Sequence, residues 1–132
     1  MSGPAYVIKP RNTGITRVWK ATIYSIQGLT AAWKHESAFR QELIIGIILL
    51  PVSFWIAKSW VEVAVLMGVC FLVLIVELLN SAIEAVVDRV GHEHHDLAGQ
   101  AKDMGSAAVM LSLIMAVGTW ILIGAHNFLF NG

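Results

Sequence analysis

Residues 61–90 read VEVAVLMGVCFLVLIVELLNSAIEAVVDRV. Apart from Glu62 at its start, the run is apolar up to Val76. Glu77, Asn80, Ser81, Glu84 and Asp88 then enter at steps of three or four, without interrupting a helical pattern that runs to Val90 and stops at Gly91. Such steps place polar side chains on one helix face. A single helix that begins in hydrocarbon and ends in water, with carboxylates on one stripe, decides the fold class. Six of the nine acidic residues (Glu77, Glu84, Asp88, Glu93, Asp96 and Asp103) lie between positions 77 and 106. Carboxylates at a hydrocarbon boundary are costly and are kept mainly where they have a function.

Composition agrees. The 132 residues leave room for one domain; 57% are hydrophobic and 14% charged, against about 25% charged in an ordinary soluble domain. The formal net charge of zero argues against nucleic-acid binding, which needs a basic surplus. Cys70 is the one cysteine and reads as a small buried hydrophobe. No apolar core follows a basic start near the N-terminus, so a cleavable signal peptide is not expected.

Working outward from residue 61, Lys58-Ser59-Trp60 reads as a tight polar turn, preceded by an apolar run from Leu43 to Ala57. That run is short against the ~20 residues of a spanning helix. It reaches span length once its flanks are counted, with Arg40 and Lys58 snorkelling and Pro51 tolerated inside. On the other side, Ala107 to Ala125 is uncharged, with Ala108, Ser112 and Ala116 as a small-residue packing face. Upstream, Ile15, Trp19, Thr22, Ile26, Leu29 and Trp33 alternate at steps of four and three, the stripe of an amphipathic helix lying in the interface. The expectation is an all-α membrane protein, a single domain over 1–132. It has a flexible leader (1–12), an N-terminal surface helix (13–42) and three transmembrane helices within about 38–58, 61–90 and 105–128. Six of the nine Lys and Arg precede the first span, one lies in the first turn, two lie between the second and third spans and none follows. The N-terminus and the 77–106 stretch are thus expected on the cytoplasmic side and the C-terminus on the other.

Glu77 and Glu84 are two turns apart, ~10 Å along the helix axis, too far to hold one ion together. Glu77, the deeper, suits a general base. Glu84, nearer the cytosol, suits a magnesium ligand, with Glu36 at the same membrane face as a second carboxylate. The segment GHEHHDLAGQAKD reads as a polar loop that contacts a ligand, ending in a cation and an acid, Lys102 and Asp103. Its His92, His94 and His95 lack zinc-site spacing. No Gly-rich phosphate loop occurs, so nucleotide chemistry would need another architecture.

ELLNSAIEAVVDRVG followed by HEHHDLAGQAKDMGSAAV, with TRVWKATIYSIQGLTAAWKHESAFRQE upstream, closely resembles the prokaryotic integral-membrane diacylglycerol kinase family of Gram-negative type. The resemblance implies a homotrimeric helical bundle in the cell inner membrane, C-terminus periplasmic, with sites shared between subunits. The activity it implies is transfer of the ATP γ-phosphate to diacylglycerol, giving phosphatidic acid with Mg2+ as cofactor. Carried over by position, Glu77 is the base with Asn80 beside it, and Glu36 and Glu84 hold the metal. Arg17, Tyr24, Glu93, His94, His95, Lys102 and Asp103 join these two carboxylates around ATP. The lipid falls to Arg17, Ala21, Tyr24, Ser25, Trp33, Ala38, Phe39, Arg40, Gln41, Glu42, Ser106 and Trp120, together with Glu77. Two other functions fit parts of the pattern: an undecaprenol kinase of the same family, and a small oligomeric ion-coupled transporter using Glu77. A purely structural scaffold leaves the Glu77–Glu84 stripe without purpose.

Overall fold

The computed structural model describes residues 13–91 and 95–130. They divide into two compact units between Ala31 and Ala32, and the regular structure among the described residues is entirely helical. Helix α1 spans Gly14–His35, α2 Ser37–Ile56, α3 Trp60–Val90 and α4 Asp96–Ala125; α4 ends in a π-helical turn, His126–Phe130.

Residues 14–31 make up the helix of the first unit. Gly14 opens it at φ +64°, a left-handed conformation that glycine adopts without strain. Three hydroxyls inside the helix bond back to the carbonyl four residues earlier, each at 2.8 Å: Thr22 to Val18, Ser25 to Ala21 and Thr30 to Ile26. The helix thereby satisfies these three short polar side chains itself.

In the second unit the last turn of α1 ends at His35, earlier than the residue 42 expected from periodicity. The cause is Glu36, whose extended backbone (φ −115°, ψ 103°) makes it the N-cap of α2. Arg40 turns back toward the end of α1. Its Nη1 donates to the carbonyls of Trp33 at 2.7 Å and Lys34 at 3.2 Å, placing a cation on the orphan acceptors of a helix C-terminus. Within α2, Pro51 leaves one helical hydrogen bond unmade, and the fully buried Ser53 donates its hydroxyl to Leu50 O at 2.6 Å.

The α2–α3 turn is closed by side-chain caps at the start of α3. Ser59 Oγ accepts from the Glu62 amide (3.2 Å), and Glu62 Oε2 accepts from the Lys58 amide (2.6 Å). Asn127, in the π-turn, completes this end by donating Nδ2 to Ile56 O (2.9 Å) and Glu62 Oε1 (3.3 Å). Between the helices Leu66 is fully buried, Val69, Val73 and Ala116 form the core, and Trp120 packs on it and donates Nε1 to Leu66 O at 3.1 Å.

Helices α2, α3 and Asp96–Phe130 are long and apolar enough to cross a membrane. At 31 residues, α3 is ~46 Å long against a hydrocarbon core of ~30 Å, so one end projects beyond it. Helix α4 starts at Asp96, well upstream of the residue near 105 where hydropathy starts it. His95 caps it, Nδ1 accepting from the Leu97 amide at 3.1 Å, and the polar segment expected as loop is helical from Asp96 onward. Hydropathy reports depth in a bilayer; caps report where the hydrogen-bond ladder starts.

Candidate functional site

The face of α3 that packs inward descends through Leu66, Val69 and Val73 and then changes character at Glu77 and Asn80. The spacing does not change; the chemistry does. Glu77 is 6% exposed and Asn80 9%, and Glu84, half-buried, follows one turn on. Asn80 Nδ2 donates to Glu84 Oε1 at 3.3 Å, which pins one carboxylate oxygen of the outer glutamate. Glu36, at the α1–α2 break, and Glu84 both lie within electrostatic reach of Glu77. Glu42, on α2, lies within reach of Glu77 as well. The fold gathers Glu36, Glu42, Glu77, Asn80 and Glu84 at one end of the helices.

Three buried polar atoms among the described residues have no hydrogen-bond partner: Glu42 Oε2, Asn80 Oδ1 and Ser81 Oγ. All belong to this end. Native interiors leave few such atoms, and they concentrate where a ligand or ion completes them. No three of the described His, Cys, Asp or Glu converge into a ready-made metal cage. Mg2+ needs no such cage, since it takes one or two carboxylates and fills its shell with water and substrate phosphates. Glu36 and Glu84 carry hard carboxylate oxygens of that kind, both within electrostatic reach of Glu77.

Below Glu77, a cleft of about 360 Å³ opens between α2, α3 and α4, lined by Glu42, Cys70, Val73, Ala116 and Trp120 among others. Glu42 and Trp120, both expected at the lipid, thus meet at one apolar cleft. Of the other expected lipid residues in the second unit, Phe39 is buried, Ala38 and Arg40 are half-buried, and Trp33, Gln41 and Ser106 are exposed. Arg17, Ala21, Tyr24 and Ser25 are exposed residues of the first unit.

Among residues expected at ATP, Lys102 Nζ contacts Asp88 Oδ1 at 2.7 Å, joining α4 to α3, rather than pairing with its neighbour Asp103, which is exposed. His95 is the α4 cap. Glu93 and His94 lie outside the described residues. Sequence reasoning missed Gly105 and Asn127. The one signal for Asn127 was a lone amide after an uncharged run; Gly105 carried none.

Three membrane-capable helices with a buried carboxylate–carboxamide cluster at one end define a membrane protein whose described residues are helical and carry one polar cluster between the helices. The profile of the family described as "Prokaryotic diacylglycerol kinase" matches residues 23–124. The chain is 51% identical over 115 residues to the diacylglycerol kinase of Escherichia coli strain K12, covering 86% of this chain and 94% of that protein. It is 51% identical to that of Pseudomonas aeruginosa, over 85% of this chain and 93% of that protein. To that of Helicobacter pylori strain 26695 it is 43% identical, over 89% of each. The chain belongs to the prokaryotic diacylglycerol kinase family.

Proposed function

We propose that the protein phosphorylates diacylglycerol to phosphatidic acid at the cytoplasmic face of the inner membrane, using ATP and Mg2+. The observation that carries this reading is the buried Glu77–Asn80–Glu84 face, which has unsatisfied polar atoms around it and an apolar cleft beneath. Such an arrangement suits an alcohol whose acyl chains stay in the bilayer.

In the proposed step the primary hydroxyl of the lipid forms a bond to the γ-phosphorus, and the bond from that phosphorus to the β–γ bridging oxygen breaks. ADP leaves and the hydroxyl proton passes to a Glu77 carboxylate oxygen. Glu36 and Glu84 would hold Mg2+, which neutralises phosphate charge when bound. Phosphoryl transfer asks mainly for positioning and charge neutralisation. Asn80 orients Glu84 and stands one turn from the base; the helix walls around Glu77 exclude water. We assign Arg17, Tyr24, Glu93, His94, His95, Lys102 and Asp103 to ATP. The cleft at Glu42 and Trp120 we assign to the lipid, with Arg17, Ala21, Tyr24, Ser25, Trp33, Ala38, Phe39, Arg40, Gln41 and Ser106 completing its contacts. One chain buries little of its apolar surface, with Ile47, Phe54, Phe71 and Ile114 all exposed. A homotrimer with shared sites is therefore part of the proposal, as are the surface position of the N-terminal helix and a periplasmic C-terminus.

The test is formation of phosphatidic acid from ATP, Mg2+ and diacylglycerol in mixed micelles, run beside undecaprenol. Preferential turnover of undecaprenol overturns the choice of lipid. Absence of any phosphorylated lipid overturns the kinase reading in favour of a transporter.

A further inference from the structure

Gly105 lies in the interior of α4, where glycine is a poor helix former, and it is buried. A Cβ built there would collide with Asn80 Oδ1, and would lie 3.3 Å from Asn80 Cγ and 3.9 Å from Asn80 Cα. At Gly28, Gly46, Gly68, Gly99, Gly118 and Gly124 an added Cβ would meet nothing within 4 Å. Among these helical glycines the tight fit belongs to Gly105 alone, the one that faces Asn80.

The identity of the colliding atom decides what the glycine is for. At 3.9 Å the backbone of α3 is at ordinary contact distance, so the helices could approach equally closely with an alanine. What could not stay is the carboxamide. Its orientation is set from two sides. Glu84 accepts from Nδ2, and an inverted amide would place oxygen against a carboxylate, acceptor on acceptor. That leaves Oδ1 directed at α4, in the space a side chain at 105 would fill. The same residues border a cleft of about 400 Å³ lined by Val76, Leu79, Ile83 and Met104, so a displaced amide has room to swing into apolar surroundings and away from Glu84.

We propose that Gly105 is a positioning residue: its missing side chain is the seat of the Asn80 carboxamide and so holds Asn80 Nδ2 on Glu84. This rests on the proposed role of Glu84 as a Mg2+ ligand. Alanine at 105 moves the amide, frees Glu84 to rotate and loosens the metal–nucleotide site while leaving the helix packing in place.

The experiment compares Gly105→Ala, Asn80→Ala and the double variant of the full chain in mixed micelles. It reads lipid kinase rate against Mg2+ concentration, and separately the rise in unfolding midpoint produced by Mg2+ with a non-hydrolysable ATP analogue. Gly105→Ala is expected to fold with a midpoint within a few degrees of wild type, to lose roughly tenfold or more in kcat, and to need more Mg2+. The ligand-induced rise should shrink by the same amount in Gly105→Ala, Asn80→Ala and the double variant. Additive losses in the double variant, or a Gly105→Ala protein with wild-type Mg2+ dependence, overturn the positioning role. Should Gly105→Ala fail to fold, a double variant that folds supports the contact with Asn80, and one that also fails overturns it. If Asn80→Ala leaves rate and Mg2+ dependence intact, the assignment of Asn80 to the site falls as well, which separates the two failures.

Discussion

Two asparagines sit in the helix bundle, one at either end, and they are treated differently. Asn127 is 4% exposed and its amide donates twice, to Ile56 O and Glu62 Oε1. Asn80 is 9% exposed and its amide donates once, to Glu84, while Oδ1 faces a bare glycine with no partner. The first satisfies acceptors and ties the α2–α3 turn to the end of α4. The second leaves an acceptor buried and open, beside two further unsatisfied atoms and four carboxylates. A buried polar group that has its partners stabilises; one that lacks them costs stability and is kept for another purpose. The contrast sets an Asn127 end that holds the helices together against an Asn80 end where the proposed chemistry would take place.

The largest effect expected is at the Asn80 end. Glu77→Gln should lower kcat by roughly 10²- to 10⁴-fold, the range of a lost general base, with the unfolding midpoint unchanged or raised and ATP binding retained. A nearly full rate removes Glu77 as the base and breaks the division between the ends. Next, Glu84→Gln keeps an acceptor for Asn80 while removing a charge. The apparent Mg2+ affinity should fall at least roughly tenfold, and an unchanged magnesium titration counts against the ligand role. At the other end, Asn127→Leu removes two hydrogen bonds and strands Ile56 O and Glu62 Oε1, lowering stability in detergent by about 1–2 kcal/mol. Its kcat per folded molecule should match wild type; a kinetic defect without a stability defect would reverse the comparison. Trp120→Phe, which loses one hydrogen bond to Leu66 O, should cost roughly 0.6 kcal/mol. The smallest stability effect belongs to Asp88→Asn, which breaks the exposed Lys102–Asp88 pair and should leave the unfolding midpoint nearly unchanged, because solvent screens such a pair.

Much of this architecture was legible in the chain. Helical steps of three and four carry Glu77, Asn80 and Glu84 onto one face whatever else the protein does, because backbone geometry sets the angle per residue. Long uncharged runs name membrane-capable helices because hydrocarbon tolerates little else. The breaks were harder. Residue 36 interrupts two helical patterns without a proline or glycine, and Asp96 opens α4 on the strength of a histidine cap. Both depend on local hydrogen bonds that hydropathy does not register. Arg40 adds to the same break, since its guanidinium reaches the carbonyls of Trp33 and Lys34 at the end of α1.

Periodicity, hydropathy and motif were enough to read off the helical membrane class, the family and the carboxylates that share a face of α3. Tertiary structure alone decided which buried amide is satisfied and which is not. Asn127 finds Ile56 across 71 positions of chain, and Gly105 matters only because Asn80 stands opposite it. Hydrogen bonding and steric exclusion act over a few ångströms, and the fold, not the order of residues, sets which atoms come that close.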